Sequence, residues 1–194
     1  MLQPHDYPAF CLLNGCMYIL GGHHPDATEG GPQTDPGFSF SERFDFETGR
    51  WVEISPLPKP RFAATAISMD QKIFAFGGVA FTGEGLTEYD HAEVFNPQKN
   101  SWELAAWKMP WSAAAHGTCL HEGKLYIFGG FSGDLGIGTQ TARYDFLKCD
   151  WQNISPLPEA RAAMGVSILE RSIILLGGWA KDRSVMNSVI QLPL

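Results

Sequence analysis

The sequence has no long apolar run and comparatively few basic residues. None of its hydrophobic segments approaches the ~20 consecutive apolar residues that a transmembrane helix requires, so no membrane span is predicted. The 194 residues include 14 Lys and Arg against 21 Asp and Glu, which gives a net charge of −7. This balance argues against nucleic acid or an anionic membrane surface as a partner.

Signals for secretion and for long helices are also missing. The first residues lack the charged and apolar regions of a signal peptide, and the chain has only four cysteines. We therefore expect a cytoplasmic protein with free thiols. The 21 glycines and 13 prolines predict frequent turns in place of long helices.

What the sequence does contain is a repeated unit. Four runs of four apolar residues each end in a glycine pair, and successive pairs are 56, 52 and 48 residues apart: Gly21-Gly22, Gly77-Gly78, Gly129-Gly130 and Gly177-Gly178. In three units an aromatic residue precedes a tryptophan by seven positions: Phe44 and Trp51, Phe95 and Trp102, Tyr144 and Trp151. A self-similar unit of this length indicates a repeat architecture.

Each unit is predicted to form four short antiparallel strands. The first strand is expected to begin directly after a proline-rich segment, at Phe62, Ala115 and Ala162, and to return through a tight turn into the apolar run. The apolar runs do not alternate with polar residues, which predicts burial on both faces between stacked sheets. The glycine pair is expected where backbones crowd at the strand end, because glycine takes a positive φ at little cost.

These motifs resemble the kelch repeat, a four-stranded β-propeller blade, over nearly the whole chain. The resemblance implies an all-β, kelch-type β-propeller over residues 1–194. Three blades at 5–55, 56–106 and 107–154 and three strands of a fourth at 155–194 make about 3.75 blades. Six blades would need roughly 300 residues, so we expect a part of a larger, six-bladed propeller rather than a complete small one.

The segments SPLPKPR at 55–61 and SPLPEAR at 155–161 are most similar to those of the kelch-like substrate adaptors. Those adaptors carry BTB and BACK domains ahead of the propeller and serve cullin-based ubiquitin ligases. The resemblance therefore implies a protein-interaction module that recognises a substrate. Two alternatives stay open, because other kelch proteins bind actin and a few are enzymes, including a copper oxidase and a sugar epimerase.

The repeats differ mainly in the connection between their second and third strands, at residues 23–43, 79–93, 131–142 and 179–187. Variable loops on a constant frame are where binding usually occurs. In the kelch-like adaptors, residues after the glycine pair and beside the Arg that opens the first strand contact the partner. Carried over to this sequence, the partner-binding residues are His23, Phe62, Val79, Trp111, Phe131, Trp179, Arg61 and Arg161.

Two alternatives accompany this set. The third unit has Ser112 in place of the arginine, with Trp111 before it, and the alignment there can shift by one. We expect apolar anchors to bind a peptide or protein surface, with Arg61 and Arg161 as peripheral polar contacts. The alternative is that Phe131 and Trp179 fold back over the propeller centre and that the arginines are buried structural donors.

A catalytic site would require polar groups that converge. His23-His24 with Asp26 is the only local cluster in the sequence with metal-ligand character. Acidic residues that could pair for acid–base chemistry stand in the variable loops: Asp26, Glu29, Asp35, Glu84, Glu88 and Asp90. No nucleophile signature or phosphate-binding glycine loop is present, so we expect no catalytic residues, no metal and no cofactor.

Overall fold

The computed structural model describes residues 1–23, 37–82, 85–133 and 135–194, and every regular element in these ranges is a β-strand. None of the described residues belongs to a helix long and apolar enough to cross a membrane. The chain divides into two compact units, Met1–Ser112 and Ala113–Leu194. The predicted all-β class is confirmed.

The first unit contains two four-stranded antiparallel sheets. The strands of the first sheet are, in spatial order, β1 (Ala9–Leu13), β2 (Cys16–Leu20), β3 (Ser41–Asp45) and β4 (Arg50–Ile54). The second sheet contains β5 (Thr65–Met69), β6 (Lys72–Phe76), β9 (His91–Asn96) and β10 (Ser101–Lys108), also adjacent in that order. Between β6 and β9, a small separate hairpin is formed by β7 (Val79–Thr82) and β8 (Gly85–Glu88).

The second unit repeats this plan with one four-stranded and one three-stranded sheet. Its first sheet contains β11 (Gly117–His121), β12 (Lys124–Phe128), β15 (Thr141–Asp145) and β16 (Asp150–Asn153). A short hairpin of β13 (Phe131–Ser132) and β14 (Gly136–Ile137) lies between β12 and β15. The last sheet contains β17 (Gly165–Leu169), β18 (Ser172–Leu176) and β19 (Val189–Pro193). The repeat boundaries given above stay a prediction.

The repeated aromatic and tryptophan face each other across the third and fourth strands. The pairs Phe44↔Trp51, Phe95↔Trp102 and Tyr144↔Trp151 are in direct register. Their ring centroids lie 5.1, 5.0 and 5.1 Å apart, at interplanar angles of 45°, 41° and 48°. Three nearly identical tilted pairs show that the seven-residue spacing sets a hairpin register.

Burial of the apolar runs agrees for β12 with the prediction that both faces are covered, but in β18 Ile174 is half-buried and Leu176 is 46% exposed. In β12, Leu125, Tyr126, Ile127 and Phe128 are all buried. The core of the first unit joins its two sheets, because Tyr18 and Leu20 of β2 pack in one cluster with Ile73, Ala75 and Phe95 of the second sheet. At about 25 cal/mol per Å² of apolar surface, such stacking is the main stabilising term.

The first glycine pair lies where three segments meet. Gly21 and Gly22 have φ of 62° and 112°. A Cβ on Gly21 would lie 2.5 Å from the carbonyl oxygen of Arg61, and one on Gly22 would lie 2.6 Å from that of Asp6. The Gly22 amide donates to the Arg61 oxygen at 2.8 Å, so the pair connects its own sheet to the next one. Both positive φ and close backbone approach therefore require glycine here.

The predicted start of the first strand is wrong by about three residues. The strands begin at Thr65, Gly117 and Gly165 rather than at Phe62, Ala115 and Ala162. The reason is a left-handed alanine before each strand, with φ of 51° at Ala63, 51° at Ala115 and 53° at Ala163. In this conformation the alanine amide does not pair within its own sheet. Instead, Ala163 N donates to the Ala115 oxygen of the preceding repeat at 2.7 Å.

Replacing the exposed Ala163 with glycine is expected to raise the free energy of unfolding by about 1 kcal/mol. A left-handed conformation costs an L-residue about 1–2 kcal/mol, and the greater chain entropy of glycine offsets part of that gain. Urea unfolding of Ala163→Gly measures the change. The control is Ala180→Gly, at a position outside the left-handed region, which is expected to lose stability. A loss at Ala163 would contradict the strain argument.

The cysteines are all free, as predicted. Cys11 and Cys16 are buried diagonal neighbours, since Cys11 faces Tyr18 and Cys16 faces Leu13. Burial raises the pKa of the Cys11 and Cys119 thiols to about 12. These two thiols are therefore protonated at neutral pH and serve as packing groups.

Candidate protein-binding site

One backbone feature recurs in all four repeats and positions the candidate site. The residue after each glycine pair forms an isolated antiparallel bridge with the residue before the left-handed turn: His23 with Asp6, Val79 with Phe62, Phe131 with Ala114, and Trp179 with Ala162. The bridge between Phe62 and Val79 has both hydrogen bonds, at 2.8 and 3.0 Å. Each predicted post-glycine residue is thus fixed beside the segment that follows the arginine position.

In the first unit this feature brings several aromatic rings together. The His23 and Phe62 rings are stacked, with centroids 3.9 Å apart at 24°. Tyr7 meets His23 edge-on at 5.9 Å, and Phe81 lies 6.2 Å from Phe62. Tyr7 is 44% exposed, and the other three are half-buried. Partly exposed rings that contact one another offer apolar area already held in place, which suits partner binding.

In the second unit Phe131 and Trp179 are at the surface. Trp179 is 40% exposed, and its second bridge partner Val185 is 83% exposed. Phe131 is half-buried, and the Arg183 guanidinium carbon lies 5.8 Å from its ring centroid. That distance is within the range of a cation–π contact. Both residues are accessible to a partner in this structure.

The structure does not place Val79 or the two arginines where a partner could contact their side chains. Val79 is only 4% exposed, and its backbone is bridged by Phe62 on one edge of the strand and paired with β8 on the other. Arg61 and Arg161 have no exposed surface. The burial of both arginines agrees with the alternative stated above, that of structural donors, and partner contact at these positions stays a prediction.

Arg61 is held by a buried polar network. Its guanidinium lies 3.1 Å from Glu93, donates to the Gly77 carbonyl at 3.0 Å and lies 3.1 Å from His91 Nε2. Its charge also lies 4.5 Å from the Tyr89 ring centroid. Burial lowers the pKa of Arg61, and the Glu93 carboxylate opposes that effect. A buried cation requires such compensation, because its desolvation is costly.

Arg161 makes equivalent bonds in the last repeat with different partners. It donates to the Gly177 carbonyl at 2.7 Å, and to the carbonyl and hydroxyl of Ser188 at 3.0 and 2.6 Å. Its carboxylate partner is Glu159, whose side chain is 45% exposed. Both arginines thus hold the glycine-pair carbonyl of their own repeat and stabilise the frame beneath the candidate site.

The third repeat is displaced by one residue from the predicted alignment. Because Ala114 bridges Phe131, the position equivalent to Arg61 is Ala113 and not Ser112. Trp111 consequently lies outside the bridge position and is half-buried. Its indole N–H is buried without a hydrogen-bond acceptor in the described part of the chain. Trp111 therefore takes no part in the ring contacts given above for Tyr7, His23, Phe62 and Phe81.

Two aromatic residues of the site were missed by the sequence analysis. Tyr7 occupies the left-handed position of the first repeat, with φ of 51°, where later repeats have alanine. An alignment of His5 with Arg61 places Tyr7 at the position of Ala63 and would have identified this residue. Phe81 lies in strand β7 of the hairpin β7–β8, for which Gly85 is a weak signal in the sequence.

The described polar side chains of the variable loops form few close groups. Among the described residues, no group of three His, Cys, Asp or Glu side chains could hold a metal ion. The predicted His24 and Asp26, and the acids Glu29, Asp35 and Glu84, lie outside the described residues. Asp90 lies 3.3 Å from Lys108, and Glu88 accepts a bond from Ser112. The described part of the site is therefore better suited to binding a surface than to acid–base chemistry.

Comparison with known proteins supports this architecture. Residues 2–178 match the model of the KLHDC2/KLHL20/DRC7 Kelch-repeats domain. Human Kelch-like protein 23 is 29% identical over 188 residues, which cover 94% of this chain and 30% of that protein. Kelch repeat and BTB domain-containing protein 12 of Danio rerio is 26% identical over 172 residues, covering 84% and 27%. The chain thus spans less than a third of the length of these relatives.

A solved structure shows the same fold. The structure of YjhT superposes with a TM-score of 0.78 at 19% identity, covering 98% of this chain and 63% of that one. At this identity the likeness concerns the fold alone. Together with the four repeated sheets and the match to the domain model, it shows that the chain belongs to the kelch-repeat family and has the kelch β-propeller fold.

Proposed function

We propose that this chain is a protein-interaction module, specifically the substrate-recognition part of a kelch-like adaptor for a cullin-based ubiquitin ligase. The observation that carries the proposal is the partial exposure of aromatic side chains at the bridge positions of each unit, beside Arg61 and Arg161, which are buried and paired. Apolar anchors on a rigid support are typical of protein-binding surfaces. The relatives named Kelch-like, and the one whose name includes a BTB domain, favour the adaptor role.

Truncation of an anchor is expected to weaken partner capture strongly. We expect Phe62→Ala and Trp179→Ala each to cost about 2 kcal/mol of binding free energy, or roughly 30-fold in affinity. The measurement is quantitative capture of proteins by the immobilised chain, with partners identified by mass spectrometry and affinities then determined for each. Leu147→Ala is the matched control, because Leu147 is 92% exposed in the turn between β15 and β16.

The result that would contradict the proposal is capture that persists in both aromatic variants while the variants remain folded. The adaptor role has a separate test. The full-length gene product should bring a captured partner and a cullin into one complex, and ubiquitin transfer to that partner should fall with Phe62→Ala. Cytoplasmic location is a further part of the proposal, tested by imaging the same product.

The cytoskeletal alternative is distinguished by co-sedimentation with actin filaments. If the chain pellets with filaments and the aromatic variants abolish this, actin binding replaces substrate recognition as the function. We propose no catalytic role, and the expectation of no cofactor stays a prediction.

A further inference from the structure

In the second unit, the backbone around Trp179 fixes an exposed apolar pair. Trp179 forms antiparallel bridges with Ala162 on one side and with Val185 on the other. Its N–H donates to the Ala162 oxygen at 2.7 Å, and its oxygen accepts a bond from Ala162 N at 3.0 Å. Facing residues of an antiparallel pair have Cβ atoms about 4.5–5.5 Å apart and point to the same side. The exposed side chains of Trp179 and Val185 are therefore neighbours on one surface.

The turn that follows Trp179 is held by its own hydrogen bonds. Ala180 N donates to the Ser184 oxygen at 2.9 Å, and Arg183 N donates to the Ala180 oxygen at 2.8 Å. Asp182 accepts bonds from the Ser184 N–H and hydroxyl at 2.9 and 2.6 Å. Arg183 has a left-handed φ of 65° in this turn. These contacts fix the direction in which the Arg183 side chain leaves the backbone.

Arg183, two residues before Val185, extends this surface to Phe131. Its guanidinium lies over the Phe131 ring, with the central carbon 5.8 Å from the ring centroid, which is within the range of a cation–π contact. A contact through the ring face leaves the N–H groups at the guanidinium edge unused. Among the residues that the structure describes, no carboxylate forms an ion pair with Arg183. These N–H groups are therefore available to a ligand.

The other charges beside this turn balance one another. Three charged residues line a shallow depression there: Glu159, Lys181 and Asp182. Glu159 pairs with the buried Arg161, and with that arginine included the formal charges of the group cancel. Arg183 is consequently the excess charge of this region. We name Phe131, Trp179, Arg183 and Val185 the Trp179 patch, which combines apolar area with one unpaired cation.

We propose that the Trp179 patch binds a protein segment in which an aromatic or aliphatic side chain stands next to Asp or Glu. This inference rests on the proposed function, since it names the chemistry of the partner at one part of the same surface. The apolar side chain packs on Trp179 and Val185, and the carboxylate accepts bonds from the Arg183 guanidinium. The planar fork of arginine matches a carboxylate, whereas a basic segment leaves Arg183 unpaired and is repelled by it.

The test begins with selection of short random displayed peptides on the purified 194-residue chain. We expect the enriched peptides to contain an aromatic or aliphatic residue beside Asp or Glu, and to lose binding to Trp179→Ala. One enriched synthetic peptide is then titrated against Arg183→Gln. We expect its affinity to fall roughly 3- to 10-fold at low salt, with a smaller difference in concentrated salt. Arg183→Lys keeps the charge and loses the fork, so we expect it to restore only part of the affinity.

Two further variants separate direct contact from general charge. Asp182→Asn keeps an oxygen that accepts from Ser184 and removes the nearest like charge in the turn, so we expect affinity for the acidic peptide to rise about 2- to 3-fold at low salt. The matched control for Arg183→Gln is Arg171→Gln, at an exposed arginine in the turn between β17 and β18. It is expected to leave affinity within a factor of two or so, because Arg171 is not in the patch.

The outcomes separate this inference from the proposed function. Peptides that require Trp179 but are basic or uncharged would overturn the inference and leave the proposed function standing. Peptides that require Phe62 and are indifferent to Trp179 would do the same. A selection that yields no peptide dependent on either aromatic residue would contradict both.

Discussion

Replacement of Arg61 by methionine is expected to lower the free energy of unfolding by about 3–5 kcal/mol, because it leaves the Glu93 carboxylate buried without its cation. Methionine keeps the apolar stem, so most of the loss comes from the uncompensated charge. Glu93 is 3% exposed, and solvent therefore cannot replace the missing partner. The change is measured by urea unfolding at neutral pH.

The double variant separates the ion pair from the packing. We expect Arg61→Met/Glu93→Leu to recover most of the loss, with a residual cost of about 1–3 kcal/mol because the Gly77 carbonyl loses its donor. The matched control is Glu103→Gln, which removes the partner of Lys72 from an ion pair whose two side chains are both exposed, and it is expected to cost less than about 1 kcal/mol. A double variant as unstable as the sum of the single variants would refute this account.

The first three repeats differ naturally at the positions of Arg61 and Glu93, which allows a comparison with the double variant. At equivalent places the first repeat pairs His5 with Glu42 at 3.3 Å, and the second pairs Arg61 with Glu93 at 3.1 Å. The third repeat has Ala113 and Ala142, both buried, so both partners of the pair are absent together. In these three repeats the place holds either two polar partners or two apolar residues, as expected if an unpaired buried charge is what destabilises.

The parts of the fold that the sequence predicts are those encoded locally. Glycine pairs, tight turns and the spacing between Phe44 and Trp51 fix hairpins through residues close together in the chain, and these predictions are confirmed. The left-handed Ala63 is different, because nothing in an alanine indicates positive φ. That conformation is imposed by a bond from Ala63 N to the Tyr7 oxygen of the neighbouring repeat, which is a tertiary interaction.

The same distinction between local sequence signals and tertiary interactions explains which residues of the candidate site could be predicted. The post-glycine positions of Phe131 and Trp179 follow from the repeat pattern, and both are accessible. Burial of Arg61 could not be decided from sequence, because it depends on Glu93 from a strand distant in the chain. In the third repeat, Ala113 gives no marker to fix the alignment, so the sequence aligns Ser112 with Arg61 one position too early, and Trp111 lies three residues before the bridging Ala114.

The second large expected effect is a pH dependence of the unfolding free energy that arises from one buried histidine, His116. His116 follows the left-handed Ala115 and is 6% exposed, at the place where other repeats have Ala64 and Met164. Burial lowers the pKa of His116 to about 4 from its ordinary value of 6.5, and a bond with the Ala113 backbone opposes this shift. The folded protein therefore holds this imidazole neutral at pH values where the unfolded chain protonates it.

Between about pH 6.5 and 4 the unfolded state binds more protons at His116 than the folded state does, so stability falls as pH falls through this window. The stabilisation is fully present above 6.5, and on the order of 3 kcal/mol is lost by pH 4. Urea unfolding of the native chain and of His116→Met, which introduces the side chain found at this place in the fourth repeat, isolates the effect from that of the carboxylates. We expect the difference in unfolding free energy between the two proteins to shift in favour of His116→Met as the solution is acidified. A difference that stays constant across the window would show that His116 is as accessible to protons in the folded chain as in the unfolded one.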